Sequence, residues 1–149
     1  MTSLVGLGSD LESDTERQFS RRLLGYLDAV ASALGVGLES CAVDLDVPAS
    51  AYVALDGRFG RFPGRDVALT WDERHGWAVV VDAVGDEGLT VLAYLGGTEV
   101  IPAPKAVARF LAALGAGNHT FTRPEPPNFR DAGEHDSLVT LLGRHQAAR

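Results

Sequence analysis

The strongest constraint on the fold is an alternating pattern on both sides of a short turn. Residues 67–83 run Val67, Ala68, Leu69, Thr70, Trp71, Asp72, then Glu73, Arg74, His75, Gly76, then Trp77 through Ala83. Alternation at period two is a strand signal, and a glycine-ended turn joins two such runs as a hairpin. A type I turn with Gly76 in the left-handed position sets Glu73 opposite Trp77, Trp71 opposite Val79, Leu69 opposite Val81 and Val67 opposite Ala83. One face then carries Val67, Leu69, Trp71, Trp77, Val79 and Val81, and the other Ala68, Thr70, Asp72, Ala78, Val80 and Asp82. A slip of one residue would bury Asp72 and Asp82, so the facing is strongly specified. This one-sided pattern predicts an antiparallel sheet with one covered face.

Helical periodicity brackets the hairpin. Phe19, Leu23, Tyr26, Leu27, Val30 and Leu34 recur at three- and four-residue steps, predicting a helix over Ser13–Leu34. Ser13 and Glu16 have capping-box spacing, and Gly35 suits the stop. Further strands are expected at Cys41–Leu45, Tyr52–Leu55 and Leu89–Leu95. A second helix over Pro104–Leu114 would stop at Gly115, and a third would cover His135–Ala147. Residues 116–134 hold Pro124, Pro126 and Pro127 and show no period.

The expected fold is α+β, a two-layer sandwich with an antiparallel sheet of three to five strands and helices packed on one face. One domain is expected over residues 1–149: an N-terminal segment 1–13, an α-β-β-β-α core 14–115, a Pro-rich arm 116–134 and a C-terminal helix 135–147. A loop as long as the arm is unusual in a compact domain, so something should hold it. The two candidates are a second copy of the chain, through an exchanged C-terminus in a homodimer, and the chain's own surface.

Charge narrows the partners. Thirteen Lys+Arg against twenty Asp+Glu give a net −7, which disfavours general binding to nucleic acid or an anionic membrane. Twelve of the thirteen basic residues are Arg and one is Lys105, the mark of a GC-rich coding bias. No apolar run is long enough to span a membrane, so no membrane partner is expected. The first sixteen residues carry Asp10, Glu12, Asp14 and Glu16 and no basic residue, unlike a secretory signal. With a lone Cys41, this points to the cytoplasm.

Three stretches together carry a resemblance: Tyr52 to Gly57, Arg65 to Trp77 with its Trp71-to-Trp77 tip, and Val91 to Gly97. Over about residues 19–115 the chain resembles a small actinobacterial family of domains of unknown function. The resemblance implies a bacterial, intracellular setting and the helix–strands–helix layout. It implies no activity, cofactor or catalytic residue.

Candidate sites each have a plain reading beside the functional one. Asp72, Glu73, Arg74 and His75 sit between two tryptophans. They read as a solvated turn over a core pair, as a recognition tip, or as an acid/base set with His75 titrating near neutrality. No Gly-x-Ser-x-Gly elbow supplies a nucleophile. Residues 57–65 hold Arg58, Phe59, Arg61, Phe62 and Arg65 and no acid. Arginine interleaved with aromatics suits an anion, single-stranded nucleic acid or an acidic protein segment, and it also suits an ordinary loop. Asp44 with Asp46, and Asp72 with Asp82, are carboxylate pairs that read as solvated faces first, and otherwise as hosts for a cation or acid/base work, without calcium-loop spacing. His75, His119, His135 and His145 lack metal-ligand spacing, and no dinucleotide or Walker loop is present. No metal and no cofactor are therefore expected.

The leading expectation is a non-enzymatic accessory or regulatory module that binds a protein or acidic peptide. Its surface would combine Thr70, Asp72, Arg74, His75, Val80, Asp82 and Tyr94 with Phe121 and Phe129 of the arm and the Arg/Phe loop. The alternative is a small-molecule-binding protein or enzyme, with a pocket between sheet and helices that uses His75, Asp72, Asp82 and Tyr94. A third reading is nucleic-acid contact through residues 58–65.

Overall fold

The computed structural model describes residues 10–55, 66–82 and 89–146, and within them not the side chains of 10–13, 15, 82, 89 and 146. Its elements are α1 (Asp10–Leu34), a 3-10 turn (Leu38–Ser40), β1 (Cys41–Asp44), β2 (Ser50–Ala54), β3 (Val67–Asp72) and β4 (Gly76–Asp82). β5 (Leu89–Leu95), α2 (Pro104–Gly115), β6 (Thr122–Arg123) and α3 (His135–Gln146) follow. The strands form one antiparallel sheet in the order β1-β2-β3-β4-β5-β6, a meander in which every sequence neighbour is a spatial neighbour. The fold is α+β, with six strands among the described residues instead of three to five. Among the described residues no helix is long and apolar enough to cross a membrane.

The alternation over β3 and β4 does what its period requires. Val67, Leu69, Trp71, Trp77, Val79 and Val81 share one buried core with Phe19, Leu23 and Leu27 of α1, Phe110 of α2 and Leu138 and Leu142 of α3. Each large apolar side chain buried this way contributes roughly 1.5–3 kcal/mol. The segment after β5 is pinned by three successive carbonyls. Trp71 Nε1 donates to Val100 O (2.8 Å), His145 Nε2 to Ile101 O (2.8 Å), and Tyr26 Oη to Pro102 O (2.6 Å). Trp77 Nε1 donates in turn to Tyr26 Oη at 3.1 Å. Both buried indoles thus find acceptors, as an N–H removed from water must.

The hairpin register differs from the expectation by two residues in the pairing sum. Trp71 pairs with Trp77 and Asp72 with Gly76, not Trp71 with Val79. Facing is unchanged, because a shift of two preserves it. The loop is only Glu73–His75, since Asp72 Oδ1 accepts from the N–H groups of Arg74 and His75, each at 2.8 Å, and closes the turn early. Gly76 has φ +76° and already pairs within the strand. In β5 a bulge opposite Val79 and Val80 skips Leu92, which packs on the core and leaves Val91 exposed.

Helix ends also moved. α1 begins at Asp10, so Ser13 lies inside it rather than at a capping box. Gly35 (φ 83°) ends α1 as expected, with Val36 N–H bonded to Ala31 O at 2.9 Å. Gly115 lies inside α2. The left-handed residue is Gly117 (φ 82°), and Asn118 N–H reaches back to Ala113 O at 2.8 Å. The Pro-rich arm is not without regular structure: it contains β6, which pairs Thr122 with Leu95 and Arg123 with Tyr94. Gly96 N–H donates to Phe121 O at 2.8 Å beside that pairing.

Candidate functional site

The tip of the β3–β4 hairpin is a fastening point. Glu73 is fully buried. Its Oε2 accepts from Ala49 N–H (2.7 Å), and its Oε1 from Gly133 N–H (2.8 Å) and Arg130 Nη1 (2.6 Å). Burial alone would raise its carboxyl pKa, but the bonds from Ala49, Gly133 and Arg130 and the guanidinium charge hold it below the ordinary range. Neighbouring contacts reinforce it. Phe129 N–H donates to Arg74 O (2.9 Å), and the His75 ring bonds through Nδ1 to Pro127 O (2.8 Å). The Phe129 ring lies over Gly76, where an added Cβ would come within 3.0 Å of it. The arm therefore packs against its own chain. The reading of this tip as a solvated turn fails at Glu73, which has no exposure. Sequence placed Glu73 in the tip cluster without a partner, and it did not single out Arg130 or Ala49, because a lone arginine 57 residues on carries no spacing signal.

The second face of the sheet, turned from the helices' core, is where the predicted contact residues gather. Register aligns Ala42, Tyr52, Thr70, Ala78 and Tyr94 across five strands, with Arg123 beyond Tyr94. A neighbouring row is Asp44, Ser50, Asp72 and Gly76, and another is Ala54, Ala68, Val80 and Val91. Ala68, Ala78 and Val80 are buried although they stand outside the main core. A concavity of about 310 Å³ opens over β1, β2 and β3, with Asp44, Ser50, Tyr52, Thr70 and Asp72 on its walls. Tyr52 and Thr70 in its lining are directly paired across β2 and β3. Asp44 Oδ1 also accepts from Asp46 N–H at 3.0 Å. β1 is the last strand at this side of the sheet.

The predicted residues divide accordingly. Thr70 and Asp72 line the concavity, and Tyr94 stands two strands from Thr70 in its row. Val80 is buried in the next row. Arg74 is exposed, while His75 and Phe129 are taken up by the arm. Phe121 is 37% exposed beside β5. Arg58, Phe59, Arg61, Phe62 and Arg65 lie outside the described residues, as does the side chain of Asp82. Asp72, His75 and Tyr94 do not converge: of the three, only Asp72 lines this concavity.

Two titratable groups elsewhere are shifted upward by burial. Burial pushes the half-buried Cys41 thiol above its usual pKa, and Asp28 and Glu39 push it further, the opposite of an activated thiolate. Burial drives the Tyr26 hydroxyl well above its usual value, against a smaller opposing pull from the Trp77 bond, so it stays neutral. His135 stacks on Phe19 with ring centroids 4.4 Å apart. Among the described residues no three His, Cys, Asp or Glu side chains gather as a metal site.

No curated protein and no solved structure matches the chain. A family model does match, from Tyr26 in α1 to Ala113 in α2. It covers Glu73, Ala49 and the concavity, and stops short of the arm that supplies Arg130 and Gly133. The chain thus belongs to a family of unknown function, DUF6292, matched over residues 26–113.

Proposed function

We propose that the chain is a non-enzymatic binding module that takes an extended segment of a protein partner on the second face of its sheet. The concavity of about 310 Å³ beside the end strand β1 carries this reading. An added strand next to β1 gains backbone hydrogen bonds, and a side chain from it can enter between Tyr52 and Thr70. Tyrosine supplies large contact area at low entropic cost, the usual makeup of a recognition surface. Asp44 and Asp72 suit a basic group at the concavity, while Arg58, Arg61 and Arg65 supply the charge to steer acid elsewhere in the same partner. A cytoplasmic setting and an actinobacterial source belong to the proposal, supported by twelve Arg to one Lys and a single thiol.

Site-specific photocrosslinking in the native host tests it. A photoreactive residue at Tyr52 or Thr70 should trap one partner repeatedly, and the same residue at exposed Arg109 of α2 should not. Crosslinks to a second copy would identify the partner as a homodimer. Equal, diffuse labelling from all three positions would refute the second face as the working surface.

A further inference from the structure

A second cavity lies among the three helices and shares no lining residue with the concavity on the sheet. It measures about 610 Å³. Its floor is Ala29 and Ala33 of α1 with Ala103 and Pro104 at the start of α2, small side chains that leave the space unfilled. Four groups able to hydrogen-bond stand around that floor: Asp28 and Ser32 on α1, Lys105 on α2 and His145 on α3.

One wall is fixed in advance. His145 Nε2 bonds to Ile101 O at 2.8 Å, and its ring tilts against Tyr26 at 5.6 Å between centroids. A carbonyl only accepts, so Nε2 carries a proton toward Ile101 O, and Nδ1 is the ring's remaining polar atom. Tyr26 is itself locked between Trp77 and Pro102. The imidazole is therefore held by packing and hydrogen bonds rather than left to wave in solvent, as a preorganised site requires.

The charges have a distinctive makeup. Lys105 is the sole lysine among thirteen basic residues, and it lines this cavity. A lysine is a compact ammonium with three donors, unlike the broad fork of arginine. Asp28 brings the opposite charge on a different helix. Cationic and anionic groups around a small apolar floor are complementary to a ligand with both charges and a modest side chain.

We infer that this cavity binds a small zwitterion, an α-amino acid or a dipeptide. The ligand carboxylate meets Lys105, its ammonium meets Asp28 beside the His145 ring, and its side chain covers Ala29 and Ala33. This site is independent of the peptide surface on the sheet.

Reductive carbon-13 methylation marks the ε-amine of Lys105 with a signal separate from the α-amine. The marked protein is titrated with each common free amino acid and with alanyl-alanine, while the His145 ring signals are followed in parallel. At least one ligand should shift the Lys105 and His145 signals saturably with a common midpoint. Its N-acetyl and amide derivatives, each missing one charge, should bind about tenfold or more weakly. Lys105→Met, read through His145, should weaken binding similarly without moving the thermal midpoint. An absence of saturable shifts with every probe overturns the inference. So does equal affinity for acetate or for the N-acetyl derivative, which would mark a simple anion contact.

Discussion

Glu73 offers the sharpest test of how the arm is held. Replacing it with Ala strands two N–H groups, of Ala49 and Gly133, and leaves the Arg130 guanidinium without its carboxylate. A buried donor left unsatisfied costs about 1–3 kcal/mol, and breaking a buried ion pair about 3–5 kcal/mol. These overlap, so about 4 kcal/mol is expected for Glu73→Ala, a large part of the 5–15 kcal/mol typical of a whole domain. Glu73→Gln keeps the shape but offers one acceptor oxygen, whereas both carboxylate oxygens accept here. It should cost about 2 kcal/mol. Urea unfolding followed by tryptophan fluorescence reads both, since Trp71 and Trp77 lie in the core. The pH dependence has a definite sign. The folded pKa of Glu73 lies below its unfolded value, so its stabilisation is full above about pH 4.3 and is lost as pH falls through the folded pKa. Glu73→Gln should flatten that acid limb. A Gln variant within about 0.5 kcal/mol of the parent, with the same acid limb, would refute the account of Glu73 as the fastening group.

Two further substitutions probe the same architecture. Gly76→Ala meets both a positive φ of +76° and the Phe129 ring at 3.0 Å, so it should lower stability by about 2 kcal/mol and expose the arm to limited proteolysis. Tyr26→Phe removes the hydroxyl that accepts from Trp77 and donates to Pro102 O; about 2–3 kcal/mol should be lost in urea unfolding, with the near-ultraviolet tryptophan circular dichroism altered.

How much was legible in the sequence depended on whether a feature had a period. β3 lies where alternation put it, because burying one face of a strand leaves the other to smaller or polar residues. The Trp71–Trp77 pairing was not legible. It depends on Asp72 capping two N–H groups, a choice between turns that the flanking pattern does not distinguish. β6 is two residues long beside Pro124 and carries no pattern; the pairing of Leu95 and Tyr94 recruits it. Gly115 and Gly117 are both plausible stops by composition; α2 takes in Gly115, and the left-handed turn falls at Gly117, where Asn118 N–H bonds Ala113 O. Of the site, Thr70 and Asp72 were placed on one face by parity alone. Tyr52 escaped notice as a contact because its strand was read alone, without the neighbour that makes the concavity.

The family match ends at Ala113, and this raises the question of whether the matched part of this chain can stand by itself. Residues 10–117 would keep α1, β1–β5 and α2 but lose β6, the arm and α3. Leu138 and Leu142 of α3 are fully buried in the core that α1 and the sheet share, and removing each large apolar group from such a core costs about 2–5 kcal/mol. Glu73 would also lose Arg130 and Gly133, leaving a desolvated carboxylate with Ala49 as its remaining donor. That adds about 3 kcal/mol or more unless water reaches it. The sum is comparable with the total stability of a domain this size. A fragment of residues 10–117 should therefore show no cooperative thermal transition and should bind a hydrophobic dye, and adding a separate 118–149 peptide should restore the transition. A cooperative fragment melting near the full chain would mean that the core closes without the arm and α3, and that Glu73 finds other donors there.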